Sequence, residues 1–368
     1  NYMMPVMMCA MIPAMVVSYM PSIRLEGALL VVPVANIVVL IRELLLGNQD
    51  IAATAVALLS TCMYAGVAVS VAARLYGNEA VLFSDVGSYK TLLLRRYFRP
   101  RARPTLEEAL LLLALVFPIN FYWQSWMIDL DSSGARFKWV LAVAQVAILA
   151  GPAVLLAWYR KLDLRETFSL RVPSPVQLSG AVLVAVAAAP MSLLIYRIQV
   201  RVFGAPGSLE MLEQLDVQLA AGSAFTAFIF FALLPGVCEE VLFRGLLQSG
   251  VRDKFGVIGT AALVGVLFGM FHMALVRLPV TTAMGILLTF VCLRSGSIFP
   301  AMLIHVANNA VPVLAQRVEL LRDFYGPSLV GEATLAATFD GRMIAFIAAF
   351  VAGLALIVYG RAANRRIG

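Results

Sequence analysis

The sequence predicts an all-α fold, a polytopic transmembrane helix bundle of about eleven spans. Three observations carry this. Hydrophobic residues make up 61% of the 368-residue chain and charged residues only 13%, against about 25% charged in soluble globular proteins. The apolar residues gather into runs long enough to cross a hydrocarbon core, which takes about 20 helical residues. Basic residues collect in the short loops between those runs, as orientation signals do. The net charge of +7 therefore reports membrane topology and does not point to nucleic acid.

The elements follow in order. Residues 2–20 are apolar, span-length and kinked by prolines. Residues 29–46 form a second candidate, broken by Pro33; its Asn36, Arg42 and Glu43 read as a helix end or a helix–helix contact. Residues 51–73 are a clean third span. A polar stretch rich in arginine, with Arg99-Pro100-Arg101-Ala102-Arg103-Pro104 at its end, cannot be a helix interior and marks the domain boundary. Residues 110–127, 139–159 and 178–196 then span. Residues 208–220 differ: Leu209, Leu212, Leu215 and Leu219 recur every three or four positions between acidic residues, the pattern of an amphipathic surface helix with Ser208 as N-cap. Spans at 224–244, 257–275, 280–293, 298–314 and 344–359 complete the set.

This divides the chain into a transmembrane segment, 1–83, a basic linker, 84–108, and a larger domain, 109–368. With the linker on the cytoplasmic side, the loops at 160–171 and 244–254, Arg294 and the C-terminal tail with Arg361, Arg365 and Arg366 all fall on that side too. The chain thus reads as a multi-pass cell-membrane protein. Its first residue is Asn1, in mid-hydrophobic stretch, so it reads as a fragment or processed chain. The four cysteines lie in or beside apolar runs, without metal-type spacing, and read as small buried hydrophobes.

One cluster stands out. Glu239, Glu240 and Arg244 close an apolar run, where each charge costs about 2.5–3.5 kcal/mol at a helix centre. Glu240 and Arg244 are four apart and share a face, so they can pair. Glu239 points about 100° away and is left for chemistry. The only two histidines, His272 and His305, lie in later predicted spans, and Asn309 shares the face of His305. Each of these side chains taken alone can be a packing contact between helices. Polar faces on three helices, however, should converge on the bundle interior. There a carboxylate can act as general base toward water, a histidine can orient that water or protonate a leaving amine, and an amide can stabilise an oxyanion. Equally, Glu239, His272 and His305 could bind Zn²⁺, three protein ligands leaving one position for water.

These residues resemble the signature of the CPBP intramembrane proteases, the family of CAAX prenyl endopeptidases and bacteriocin-processing (Abi-type) proteins. The pattern is Glu-Glu-x-x-x-Arg at Glu239, Glu240 and Arg244, Phe-x-x-x-His at Phe268 and His272, and His-x-x-x-Asn at His305 and Asn309, with the resemblance covering about residues 170–315. It implies an intramembrane endopeptidase acting on a membrane-associated peptide or protein. Glu239 would activate water with help from His272, His305 and Asn309 would stabilise the oxyanion, and Glu240 and Arg244 would support the site. Both metal-dependent and metal-free glutamate mechanisms are compatible with it.

Residues 33–47, Pro33-Val-Ala-Asn36 through Arg42-Glu43 to Gly47, resemble the last third of sodium-efflux-type ABC transporter permeases. That likeness implies an alternative role, a non-proteolytic permease component partnered by an ABC ATPase subunit, whose CPBP-like bundle binds or regulates a partner.

Overall fold

The computed structural model describes residues 24–48, 50–77, 94–128, 135–203, 223–272, 277–315, 317–325 and 341–367. The expected first span, the amphipathic 208–220 segment and residues 84–93 of the linker lie outside them. The described chain is helical, and among the described residues seven helices are long and apolar enough to cross a membrane, with Phe299–Ala315 a shorter apolar helix. The protein is a multi-pass helical membrane protein.

The chain forms two compact units, Asn1–Tyr97 with Leu106–Asp129, and Phe98–Thr105 with Leu130–Gly368. In the first, a 3₁₀ turn at Gly27–Leu30 precedes α1 (Ala35–Leu45), α2 (Ile51–Gly77) and α3 (Leu106–Ile128). The expected span at 29–46 is replaced by the turn and an 11-residue helix. At 1.5 Å per residue that helix is about 16 Å long, half a hydrocarbon core. Pro33 and the left-handed Val34, at φ 69°, interrupt it. Asn36 is the helix–helix contact anticipated from the sequence. Fully buried, it directs Nδ2 at Ser60 Oγ (2.9 Å), Thr61 Oγ1 (3.0 Å) and the Ala57 carbonyl (3.1 Å) of α2.

The second unit opens with 98–105, stitched by backbone hydrogen bonds to residues 161–163: Arg101 N donates to Lys161 O at 3.2 Å and Asp163 N to Arg101 O at 2.8 Å. The helix that follows, α3, belongs to the first unit. The reason is local. The proline-flanked arginine segment cannot be helical and pairs in extended form, whereas Leu106 onward is free to pack on α2.

α4 runs as Ala135–Val143, a π-type stretch Ala144–Ala150, and Gly151–Tyr159. The short α5 (Leu164–Thr167) is capped by Asp163, whose Oδ1 accepts from Glu166 N at 2.9 Å. Then come α6 (Pro175–Phe203), α7, α8 (Gln248–Phe271), α9 (Leu278–Ser295), α10 (Phe299–Ala315), α11 (Glu319–Tyr325) and α12 (Gly341–Ile367). α7 comprises Ala224–Phe228, a π-type stretch Ile229–Leu233, Leu234–Glu240 and a second π-type stretch Val241–Leu247. The apolar stretch Ala224–Phe271 has 48 residues, about 72 Å if straight, more than two bilayer cores. Gly256, at φ 62° and ψ −169°, breaks the helix and kinks it.

The core of this unit joins α6 (Ala181, Val184, Ala188), α9 (Leu288, Val291), Ile304 of α10 and Ile357 of α12. Small residues bring helices close. A Cβ on Gly285 of α9 would lie 2.8 Å from the Cα of Gly265 on α8 and 2.9 Å from its carbonyl oxygen, closer than side-chain carbons come. Of the cysteines, Cys238 and Cys292 are buried and free, whereas Cys62 is exposed on α2.

Candidate active site

Four helices of the second unit meet around two adjacent carboxylates. Glu239 and Glu240 end the regular part of α7, and the helix then widens into its second π-type stretch. Such widened turns recur at functional sites because they re-aim side chains without ending the helix. Arg244 still lies over Glu240: Nη1 donates to Glu240 Oε1 at 2.7 Å, with both side chains fully buried. Its other amino group donates to the Gly285 carbonyl of α9 at 3.1 Å. The guanidinium lies 4.4 Å from the centre of the Phe268 ring, a cation–π contact in a water-poor place. The close Gly265–Gly285 approach is what brings that carbonyl to the arginine.

Glu240 Oε1 receives a second bond, from His305 Nδ1 of α10 at 2.8 Å. Oε1 thus joins an arginine and an imidazole, and Nε2 of His305 is left facing Glu239 Oε2 at 3.9 Å. His272 faces the same atom. Its Nδ1 bonds the Phe268 carbonyl at 2.9 Å, capping the end of α8 and leaving Nε2 to face Glu239 Oε2, also at 3.9 Å. The helix stops at Phe271, so His272 is a helix-end residue and not the mid-helix residue that a span at 257–275 would make it. The Phe268 ring packs edge-on against both imidazoles, with centroids 4.8 Å and 5.7 Å away.

Glu239 is less free than its helical position indicates. Its Oε1 accepts from Gln145 Nε2 of α4 at 3.2 Å. Its Oε2 is buried and has no hydrogen-bond partner among the described residues. One oxygen is held and the other is presented to two imidazole nitrogens. Gln145 was not anticipated. The available signal was a lone amide in the otherwise apolar run 139–158, ahead of Gly151 and Pro152. It projects from the π-type stretch Ala144–Ala150, whereas Glu239 lies in the regular helix just ahead of Val241–Leu247.

The structure thus brings together five of the six expected residues: Glu239, Glu240, Arg244, His272 and His305. Asn309, one turn beyond His305, accepts from Asn308 Nδ2 at 3.2 Å and bonds neither carboxylate. Its neighbour Asn308 also accepts from Ser192 Oγ of α6 at 2.8 Å.

Glu239, His272 and His305 are the right chemical class of donor for zinc. Their spacing is not: Oε2 stands 3.9 Å from each nitrogen, whereas ligands around tetrahedral zinc are about 3.3 Å apart for bonds near 2.0–2.1 Å. No cluster of three or more His, Cys, Asp or Glu among the described residues is arranged to hold a metal ion. A water accepting or donating bonds of about 2.8 Å fits between atoms 3.9 Å apart.

Residues 221–311 match the family model described as Rce1-like, type II CAAX prenyl endopeptidase. The matched stretch contains all six expected site residues, and a family of that description consists of CAAX-type membrane endopeptidases. The likeness of residues 33–47 to a permease segment has no counterpart in this match. Neither a curated protein nor a solved structure matches the chain.

Proposed function

We propose that the chain is an intramembrane endopeptidase that hydrolyses a peptide bond of a membrane-associated substrate with a water activated by Glu239. The observation that carries this reading is the Glu239 Oε2 atom, buried, without a partner and facing two imidazole nitrogens, inside the stretch matched by the endopeptidase family.

The chemistry follows from the hydrogen bonds. Water sits between Oε2 and the two Nε2 atoms. Oε2 takes its proton while the water oxygen bonds to the scissile carbonyl carbon. The carbonyl oxygen becomes an oxyanion, received by His305, when it carries a proton at Nε2, and by the Asn309 amide. The carbon–nitrogen bond then breaks, and the proton held by Glu239 passes to the leaving amine, relayed by His272. Gln145 keeps the Glu239 carboxylate aimed by holding Oε1. Glu240 fixes the His305 ring, and Arg244 balances the Glu240 charge while tying α7 to α9. A tetrahedral metal does not suit this spacing, so no step is routed through one.

The test uses the purified full chain in bilayers with a farnesylated CAAX peptide and its unlipidated counterpart. The wild-type chain cleaves at least the lipidated peptide, and Glu239→Gln lowers turnover about 10²–10⁴-fold without changing the unfolding temperature. Chelation leaves the wild-type rate unchanged. A fully active Glu239→Gln variant sinks the reading, and loss of activity together with bound metal on chelation sinks its metal-free form.

A further inference from the structure

Away from Glu239 and Glu240, between α5 and the residues after it, the kinked first part of α8 and the end of α9, lies a cavity of about 370 Å³. Four arginines line it: Arg103 of the extended segment, Arg165 of α5, Arg171 ahead of α6, and Arg252 of α8. Two carboxylates, Glu166 and Asp253, face them. Arg103 reaches Asp253 at 3.4 Å and Glu166 at 3.5 Å, Arg171 pairs with Glu166, and Arg252 Nε lies 3.9 Å from Asp253. Most of these bonds are long for charge-assisted pairs, which close to about 2.7–2.9 Å. Arg165 makes no ion pair among the described residues, and the buried Nε of Arg103 has no acceptor. Four guanidiniums against two carboxylates leave two positive charges and spare donors directed at one space.

We propose that this cavity is a binding site for a phosphate group, supplied by the headgroup of an anionic phospholipid. Its arginines present planar donor forks suited to phosphate oxygens. Two of the side chains are partly withdrawn from solvent, 23% exposed for Arg252 and 28% for Arg103, so an anion bound against them is not fully screened, while Arg165 and Arg171 are exposed. The cavity exceeds a bare phosphate, and Val257 and Leu293 give it apolar wall for the glycerol and first methylenes. Gly256 and Gly296, both left-handed, form part of its rim, and a Cβ at either would meet nothing within 4 Å. Its lining includes the charged loop residues that follow α4 and the C-terminal end of the apolar α9, where a membrane helix meets the headgroups. Basic pockets between helices at that level recognise anionic headgroups, and the positive-inside pattern puts this one in the cytoplasmic leaflet.

The site is separate from the proposed hydrolysis and can be tested without it. The full chain is purified into phosphatidylcholine bilayers doped with phosphatidylglycerol, and the phosphatidylglycerol retained is measured by native mass spectrometry. Inorganic phosphate binding is measured by calorimetry at constant ionic strength. Wild type retains phosphatidylglycerol, and Arg165→Gln and Arg171→Gln each weaken retention about fivefold. Lys254→Gln, which removes the same charge from an exposed residue outside the cavity lining, leaves it unchanged. Equal loss in Lys254→Gln, or full retention in both arginine variants with unaltered unfolding temperature, overturns the proposal. Phosphate binding that depends on these arginines without retention of phosphatidylglycerol overturns the lipid source.

Discussion

Removing the Arg244 guanidinium should destabilise the second unit more than almost any other single change, because of what it leaves behind. In Arg244→Met the Glu240 carboxylate keeps its burial, 0% exposed, and loses its 2.7 Å partner. The Gly285 carbonyl loses its donor and Phe268 its cation. Breaking a buried pair from one side costs about 3–5 kcal/mol, a large share of a typical stability of about 5–15 kcal/mol. Glu240→Gln is milder, since the amide oxygen can still accept from Arg244 and His305, but it strands the arginine charge. The double variant carries no uncompensated charge and should recover about 1–3 kcal/mol relative to the sum of the singles. The assay is unfolding of all four proteins in mixed micelles, followed by far-ultraviolet circular dichroism and by protease sensitivity. Additive losses, or an Arg244→Met variant within about 0.5 kcal/mol of wild type, would refute the coupled pair.

Three further outcomes follow from single contacts. Gln145→Leu removes the donor to Glu239 Oε1; a hydrogen bond to a charged group is worth about 1.5–3 kcal/mol, so kcat should fall about ten- to a hundredfold with KM little changed. Asn36→Leu deprives Ser60, Thr61 and the Ala57 carbonyl of their partner; it should lower stability by about 1–3 kcal/mol in thermal unfolding while leaving peptide cleavage intact. Glu166 is held below the usual glutamate value of 4.5 by its hydrogen bond to Arg171, with Arg103 adding to it. Because the folded value is depressed, its contribution is present above 4.5 and disappears as pH falls through the lower folded value. Acid titration of stability should therefore show a component in that window that Glu166→Gln lacks.

Much of the site could be read from residue types and helical period. Charges and histidines are costly in apolar runs, so Glu240 could be paired with Arg244 from the helical period, and His272 and His305 expected to converge on Glu239, whereas the bond from His305 to Glu240 was not read. What could not be read was the geometry that period alone does not encode. The sequence pattern assumes 3.6 residues per turn, whereas Ala144–Ala150 and Val241–Leu247 are wider, and the Gln145–Glu239 bond joins a position inside the first to one just ahead of the second. The end of α8 at Phe271 also escaped prediction. Hydropathy continues past it, and the stop lies in the bond between His272 and the Phe268 carbonyl. The short α1 shows the reverse error: hydropathy measures how apolar a run is, not whether Pro33 and Val34 let it stay helical.

The path of the backbone has a consequence for anyone dissecting the protein. Residues 98–105 are tied to the second unit, yet α3, directly after them, belongs to the first. The chain therefore crosses between units three times, at 97–98, 105–106 and 129–130, and no single cut separates them into two continuous polypeptides. A truncation starting near residue 105 would keep α3 without α1 and α2 and would strip away Arg101 and its bonds to Lys161 and Asp163. Either that truncation or one starting near 130 would lose Arg103 and its ion pairs. A self-sufficient catalytic fragment would need the 98–105 peptide returned in trans or spliced directly to residue 130.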